Sequence, residues 1–357
     1  TTYGAHTAVI VHLSIAGGFL LYLGYVNAAF DISSRSDWTL TLRQPEARTA
    51  SAHPHIFLLA QFLHPNTILM KKFFSRHWPE ALLALAVFLA FAPSLLFPLL
   101  PHWDDGSSIL LNQRLAFSWE NIRHYAVNGF QGLYTPLTMY SLMLDNALFG
   151  QHYAGFHAIN IALHCGAALL LVKILQHLGI RRTIAILAAL LWAVHPQRIE
   201  SIVWLTERQD VLSGFLAMAA VYVFMKTHDR HGNYLLATIR TILSIAAKPA
   251  TVFLPQVFLV YVLAKGDLAQ NWRKLILPAA CCGFYAFLAL TISQRLALGS
   301  PPAQPSLART LKLVSHNVLF YIANTVLPLN LNPVYPLVDF HDWWIIPVFI
   351  AFFAVIL

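Results

Sequence analysis

Two adjacent carboxylates, Asp104 and Asp105, follow an apolar run that ends at Leu100. Such a pair can divide general-base work and cation binding, because a nearby like charge or loss of solvent raises one of the two pKa values. The same pair is also typical of a membrane helix that has reached water and ends in solvated residues. The pair alone favours this second interpretation, so the choice depends on the rest of the chain.

A second group of charges lies in the stretch HPQRIESIVWLTERQD, residues 195–210. If the stretch is one helix, its spacing places a mixed set of side chains on roughly one face. That set is Glu200, Trp204, Glu207, Arg208 and Val211. A charged side chain beside a membrane span is costly unless it forms an ion pair or has a functional role. The forked guanidinium group of arginine is well suited to binding a phosphate. A salt-bridged helix cap and a phosphate site both remain open at this point.

A single cation, Lys248, lies between two short apolar runs in AAKPATVFLP. It either extends its ammonium to the membrane interface or, held at an outer helix end, neutralises the phosphate of a lipid. The histidines at 157, 164 and 195 show no metal-ligand spacing, which favours structural roles for them. No metal site is predicted.

The elements that must position these residues are membrane helices. The 357 residues are 58% hydrophobic and only 11% charged, with a mean hydropathy of +0.61, whereas soluble domains carry about a quarter charged residues. The nearly charge-free apolar runs are Thr7–Ala29, Ala81–Leu100, Ile159–Ile174, Thr183–Val194, Val211–Met225, Tyr234–Ala247, Ala250–Ala264, Leu275–Ile292 and Trp343–Leu357. Several are shorter than the roughly 20 residues that span a bilayer, but together they predict an all-α polytopic membrane protein.

The net charge of +8 reflects basic residues in alternate loops, such as Arg181, Arg182, Lys226 and Lys265. This placement is typical of cytoplasmic loops and argues against nucleic acid as a partner. The polar groups described above then fall on the opposite, outer side. We expect a long first external loop, Pro101–Phe156, with amphipathic helices at the membrane interface, and a site that faces the periplasm or an organelle lumen.

The chain divides near Met70, which opens MKKFFSRHWPEALL, a basic end followed by a span. Residues 1–69 contain one apolar run and a polar linker. Two interpretations are equally supported: an additional helix with its linker, or an extension that does not belong to the functional domain. Residues 70–357 are expected to form a transmembrane catalytic domain. Because the chain stops within an apolar run, we expect the domain to continue past Leu357.

Five stretches carry a resemblance to a known family: WDDGSSILLNQRLAFSWENI, YTPLTMYSLMLDNALFGQHYAGFHAINIALH, HPQRIESIVWLTERQDVLSG, AAKPATVFLP and LNPVYP. Together they resemble the membrane part of the transmembrane and tetratricopeptide-repeat O-mannosyltransferases and their bacterial relatives, within the GT-C class. The resemblance runs from about Met70 to Pro336. Thr135 and Gln209 depart from the family pattern, which often has His or Arg at the first position and Lys at the second.

The resemblance implies an inverting glycosyltransferase with a GT-C-like helical bundle. Such an enzyme moves a sugar from a polyprenyl-phosphate carrier to an acceptor hydroxyl, here a protein Ser or Thr, on the outer face of the membrane. The implied residues are Asp104 or Asp105 as the base, Arg208 and Lys248 on the carrier phosphate, Glu200 and Asp210 orienting those cations, His195 and Tyr335 lining the site, and Tyr134, Asp145 and His157 at the acceptor or in the first loop.

The implied partners are a lipid-linked sugar donor and a protein or glycan acceptor, and a divalent cation is left open as a cofactor. A bacterial inner membrane, with the site facing the periplasm, is the expected location. One alternative is a transferase that acts on a polysaccharide or lipid. Another is a transporter or flippase, which would need charges within its spans and matched halves, whereas Arg240 is the only charge well within a predicted span.

Overall fold

The computed structural model describes residues 77–228, 234–296 and 306–329, together with 331–332, 346–348 and 350. Every regular element in these ranges is helical, and an isolated antiparallel bridge joins Phe130 to Leu133. The prediction of an all-α membrane protein is confirmed. The N-terminal extension lies outside the described residues, so the division at Met70 stays a prediction.

Along the chain, long apolar helices alternate with shorter, more polar ones. In chain order the described helices are α1 His77–Leu96, α2 Trp119–Val127, α3 Pro136–Phe149, α4 Tyr153–His177, α5 Arg182–Ala193, α6 Arg198–Val203, α7 Arg208–His228, α8 Leu235–Ala247, α9 Leu254–Lys265, α10 Arg273–Leu296 and α11 Leu307–Val326. Shorter turns lie at Gly106–Leu110, Leu205–Glu207, Pro249–Phe253 and Leu268–Asn271.

Within the described residues, four helical segments are long and apolar enough to cross a membrane. They are His77–Leu96, Tyr153–His177, Leu205–His228 and Arg273–Ser293. Large apolar side chains on the outside of the bundle, such as Leu191, Phe284 and Phe287, remain more than two-thirds exposed. A lipid environment accounts for this surface, because soluble monomers rarely expose contiguous apolar patches of that kind.

Helix α4 lies at the centre of the bundle, where it packs against α1, α5 and α7, and α8 packs between α7 and α10. The contact between α4 and α5 is lined by small residues, among them the fully buried Ala168, Ala185 and Ala189. Small side chains let helix backbones approach closely, which replaces the hydrophobic driving force that lipid does not supply. This packing fixes the frame on which the polar loops rest.

The segment between α1 and α4, residues 97–152, is called the first loop below, and it contains helices α2 and α3 as predicted. Helix α2 begins because the side chain of Ser118 accepts a hydrogen bond of 3.2 Å from the backbone N–H of Asn121, which satisfies an otherwise free donor. Helix α3 begins at Pro136, a residue suited to the first helical position, and Gly150 ends it with a positive φ of 56°.

One conditional expectation from the sequence is wrong, and one helix was not predicted. Residues 195–210 do not form one helix, because α6 ends at Val203 and Trp204 adopts an extended conformation (φ −75°, ψ 118°) before the turn Leu205–Glu207. The expected common face is therefore broken between Glu200 and Arg208. Helix α11 was not predicted, since its polar residues interrupt the apolar pattern.

Candidate active site

A cavity of about 240 Å³ lies where the first loop meets the start of α7. Its apolar side includes Met139 and Leu142 on α3. Its polar side includes Asp104, Ser108, Gln131, Thr206, Glu207 and Gln209. A concave surface with a few converging polar groups is the usual form of a ligand site, and this cavity contains two carboxylates from distant parts of the chain.

The structure gives the two adjacent aspartates different surroundings. Asp105 is only 2% exposed, and its carboxylate accepts hydrogen bonds from the backbone N–H groups of Leu100 and Thr206, each at 3.1 Å. Burial raises the pKa of Asp105 above its ordinary value, although those two N–H groups lower it in part. Asp104 is exposed and lines the cavity. Of the two, Asp104 is the carboxylate that a substrate can reach.

The turn that carries the aspartates is closed tightly. A Cβ atom on Gly106 would lie 2.0 Å from the carbonyl oxygen of Pro101, so a larger residue cannot occupy this position without moving the backbone. Trp103 packs edge-to-face on Trp204, with ring centroids 5.1 Å apart. Together with Asp105 bound to Thr206, these contacts hold the first loop against the start of α7.

The side chain of Arg208 is fully buried between α7, α3 and α4. Its guanidinium forms an ion pair of 2.5 Å with Asp145 and donates to the Ser141 hydroxyl at 2.7 Å, to the Phe156 carbonyl at 2.9 Å and to the Asn160 side chain. A carrier phosphate would have to displace these partners. The placement disfavours direct contact between Arg208 and a lipid-linked donor, and it places Asp145 in the same buried network.

Lys248 occupies the junction between α8 and the turn that precedes α9, where its side chain is 29% exposed. Its ammonium contacts the carboxylate of Asp210 and lies 3.7 Å from that of Glu207. The second oxygen of Asp210 accepts a hydrogen bond of 3.1 Å from the hydroxyl of Ser201. The structure thus joins Lys248 to the cavity through Glu207 and pairs it with Asp210.

Glu200 is exposed on α6, close enough for its charge to interact with those of Asp210 and Lys248. Lys248 therefore lies among the carboxylates of Glu200, Glu207 and Asp210. Among the described residues, no three His, Cys, Asp or Glu side chains are grouped so that they could hold a metal ion.

Three further predicted residues, His195, Tyr134 and His157, are not among the residues that line the cavity. A ring nitrogen of His195 lies 3.1 Å from the carbonyl of Thr325 on α11. The hydroxyl of Tyr134 donates to the carbonyl of Ala126 at 2.7 Å, and its ring stacks on Tyr285. His157 is 2% exposed within α4, and Tyr335 lies outside the described residues.

Sequence reasoning gave no site role to Glu207 or Gln131, and both line the cavity. Glu207 was noted only as part of a charged face, although its position beside Arg208 and three residues before Asp210 is a local signal. Gln131 was not noted, although the NGFQG sequence around it contains two turn-forming pairs, Asn128–Gly129 and Gln131–Gly132, of the kind that mark tight turns.

The fold and this cavity describe an integral membrane protein with acidic and basic groups gathered at one end of its helical bundle. Comparison with known proteins adds partial similarities to protein O-mannosyl-transferases. The chain is 27% identical over 154 residues to "Protein O-mannosyl-transferase F38B6.6" of Caenorhabditis elegans, and this match covers 42% of this chain and 22% of that relative. It is 34% identical over 98 residues to "Protein O-mannosyl-transferase TMTC1" of Mus musculus, a match that covers 27% of this chain and 10% of that relative. It is 32% identical over 107 residues to "Protein O-mannosyl-transferase TMTC4" of Homo sapiens, a match that covers 26% of this chain and 14% of that relative.

These similarities agree with the family resemblance that the sequence motifs indicated. The chain spans about a fifth or less of the length of these relatives. No family model and no solved structure matches it. Because these relatives are eukaryotic, they do not support the predicted bacterial inner membrane.

Proposed function

We propose that this chain is the membrane part of a glycosyltransferase that moves a sugar from a polyprenyl-phosphate carrier to a Ser or Thr hydroxyl of a protein. One observation carries the proposal: two motifs that are far apart in sequence line one cavity, and a further motif contacts a residue of that lining. Asp104 comes from the first motif, Glu207 from the third, and Lys248, which contacts Glu207, from the fourth. The names of the similar proteins support mannose as the sugar and protein as the acceptor.

In this proposal Asp104 is the general base. The acceptor oxygen attacks the anomeric carbon, its proton passes to the Asp104 carboxylate, and the bond between that carbon and the carrier phosphate breaks. The electron pair of the broken bond stays on the phosphate. Attack from the face opposite the leaving phosphate inverts the anomeric centre. Exposure of Asp104 to the cavity supports this role, since a base must reach the proton that it removes.

Lys248 neutralises the charge that develops on the leaving phosphate. A preorganised cation acts most strongly where charge appears in the transition state. In the structure its ammonium is shared between Asp210 and Glu207, so a phosphate must compete with these carboxylates. Asp210, held by Ser201, keeps the ammonium near the cavity, whereas Arg208 acts as a positioning residue that fixes the start of α7.

We further propose that the cavity faces the non-cytoplasmic side of the membrane. The basic residues of the opposite end, including Arg181, Lys226 and Lys265, support this orientation. A carrier whose tail stays in lipid presents its phosphate at the depth where α1 ends. Cysteine labelling in intact cells tests the orientation, because Ser107→Cys should react with an impermeant reagent and Lys265→Cys should not.

The reaction itself is tested with purified protein, mannosyl polyprenyl phosphate and a Ser/Thr-containing peptide. Wild-type protein should release polyprenyl phosphate and form glycopeptide in equal amounts. Asp104→Asn should transfer about 10²–10⁴-fold more slowly, the usual contribution of a general base, with an unchanged thermal transition. Equal transfer rates for Asp104→Asn and wild type would refute the base assignment.

A further inference from the structure

The tight turn Phe130–Leu133 forms one wall of the cavity. Phe130 and Leu133 exchange backbone hydrogen bonds of 2.7 and 2.9 Å across it. The two central residues, Gln131 and Gly132, have positive φ values of 50° and 80°. Such a turn favours Gly or Asn at both positions. A glutamine in the left-handed region costs conformational free energy, and strain of this kind tends to persist at functional sites.

The side chain of Gln131 is fixed over the segment that carries Asp104. The hydroxyl of Ser108 donates to the Gln131 carbonyl oxygen at 3.2 Å, and the Gln131 amide donates to the hydroxyl of Ser107. That hydroxyl in turn donates to the backbone carbonyl of Asp104 at 3.2 Å. The carboxamide is thus held by the two residues that stand three and four positions after Asp104.

A carboxamide can donate two hydrogen bonds and accept two. In Gln131 the two serines occupy one donor and one acceptor position, which leaves one of each on an exposed side chain that lines the cavity. A free donor beside a free acceptor complements a peptide group, which offers a C=O and an N–H along an extended chain. Leu133, 45% exposed in the same turn, provides an apolar surface next to it.

We propose that Gln131 binds the main chain of the acceptor polypeptide and so places a Ser or Thr hydroxyl beside Asp104. This inference rests on the proposed function, since it assumes a protein acceptor. Gln131 belongs to the first loop, whereas Lys248 contacts α7 from α8. In this proposal the acceptor and the leaving phosphate are therefore held by different elements.

Two variants separate this role from that of a simple turn residue. Gln131→Gly removes the carboxamide and supplies the residue that prefers a positive φ, so its thermal transition should be equal to or higher than that of wild type. Gln131→Asn keeps an amide and also tolerates this conformation. Because the two differ mainly in the amide, any difference in their kinetics reports on binding.

Steady-state transfer is measured with the acceptor peptide and the mannosyl polyprenyl phosphate varied in turn. Gln131→Gly should raise the KM for the peptide about tenfold, as loss of about one net hydrogen bond predicts. Its KM for the donor should be unchanged, and Gln131→Asn should lie between Gln131→Gly and wild type. An unchanged peptide KM in Gln131→Gly would overturn the proposal, and so would a rise in the donor KM alone.

Failure of the proposed function gives a different pattern. Wild-type protein would then bind polyprenyl phosphate or turn over the donor without forming glycopeptide from any Ser/Thr peptide. That result would overturn the protein acceptor and, with it, the role of Gln131. Normal wild-type transfer with an unaffected Gln131→Gly variant would overturn the role of Gln131 alone.

Discussion

Arg208 and Lys248 are two cations for which the sequence suggested a single task, and their surroundings differ sharply. Arg208 has no exposed side-chain surface, and Asp145 and three neutral groups occupy its guanidinium. Lys248 is 29% exposed and contacts carboxylates at the edge of a cavity. The comparison teaches that accessibility, more than charge, distinguishes a group that could bind a substrate from one that organises the fold.

The largest expected effect is on stability. Arg208→Ala should lower the free energy of unfolding by about 3–5 kcal/mol, because it leaves the Asp145 carboxylate buried without its partner. Lys248→Ala should change it by no more than about 1 kcal/mol, since a partly exposed ion pair contributes little. Denaturant titration in detergent micelles measures both. A stable Arg208→Ala variant that has lost only donor binding would contradict the structural role assigned to Arg208 and would place it in the donor site instead.

The second effect concerns the donor. Lys248→Ala should weaken binding of polyprenyl phosphate about tenfold or more, since a charge-assisted hydrogen bond contributes roughly 1.5–3 kcal/mol. Lys248→Arg, which retains the charge, should recover much of the affinity. Binding is measured by inhibition of transfer with the carrier phosphate alone. Equal inhibition of wild type and Lys248→Ala would remove Lys248 from the donor site.

A smaller effect of opposite sign is expected for Glu207→Gln. This change removes a negative charge that lies 3.7 Å from the Lys248 ammonium and competes with the phosphate for it. Inhibition by polyprenyl phosphate should therefore become several-fold stronger, since removing one charge at about 4 Å is worth on the order of 1 kcal/mol even in bulk water. Unchanged inhibition with a collapse of turnover would instead make Glu207 the base.

The smallest effect is the pH dependence of Asp105. Burial raises the pKa of Asp105, so the folded state binds its proton more tightly than the unfolded state. The stabilisation that accompanies the proton is complete below the unfolded pKa of about 3.9 and is lost as pH rises through the folded value. Wild-type protein should therefore lose stability relative to Asp105→Asn as pH rises from about 4. Parallel stability curves would contradict the raised pKa.

Much of the fold follows from local sequence. Seven of the nine apolar runs lie in the part of the chain that the structure describes, and each of these matches a helix to within about six residues at either end. Ser118 and Pro136 mark the starts of two helices in the first loop. The positive-inside pattern groups Asp104 and Lys248 at one end of the bundle, and the structure brings both to the region of one cavity. These features depend on composition, spacing and capping, which a single sequence displays directly.

The roles of individual side chains do not follow in the same way. Asp104 and Asp105 are chemically identical, and they differ because Asp105 binds the backbone of Thr206, about 100 positions further along the chain. The break at Trp204 separates Glu200 on α6 from Glu207, which lines the cavity, and from Arg208, which is buried. Both outcomes depend on tertiary contacts between distant segments, and propensity or charge pattern carries no information about these.

The tight turn at Gly106 links the aspartates to the end of α1 by a short, closed stretch of backbone. A helix of the length of α1, 20 residues, spans about 30 Å, close to the thickness of a bilayer's hydrocarbon core. On the proposed topology, the helix therefore sets the height of Asp104 above the lipid, whereas the carrier phosphate follows the headgroups. Thicker or thinner bilayers would displace the two relative to each other, so the rate of the proposed transfer should depend on the length of the lipid acyl chains.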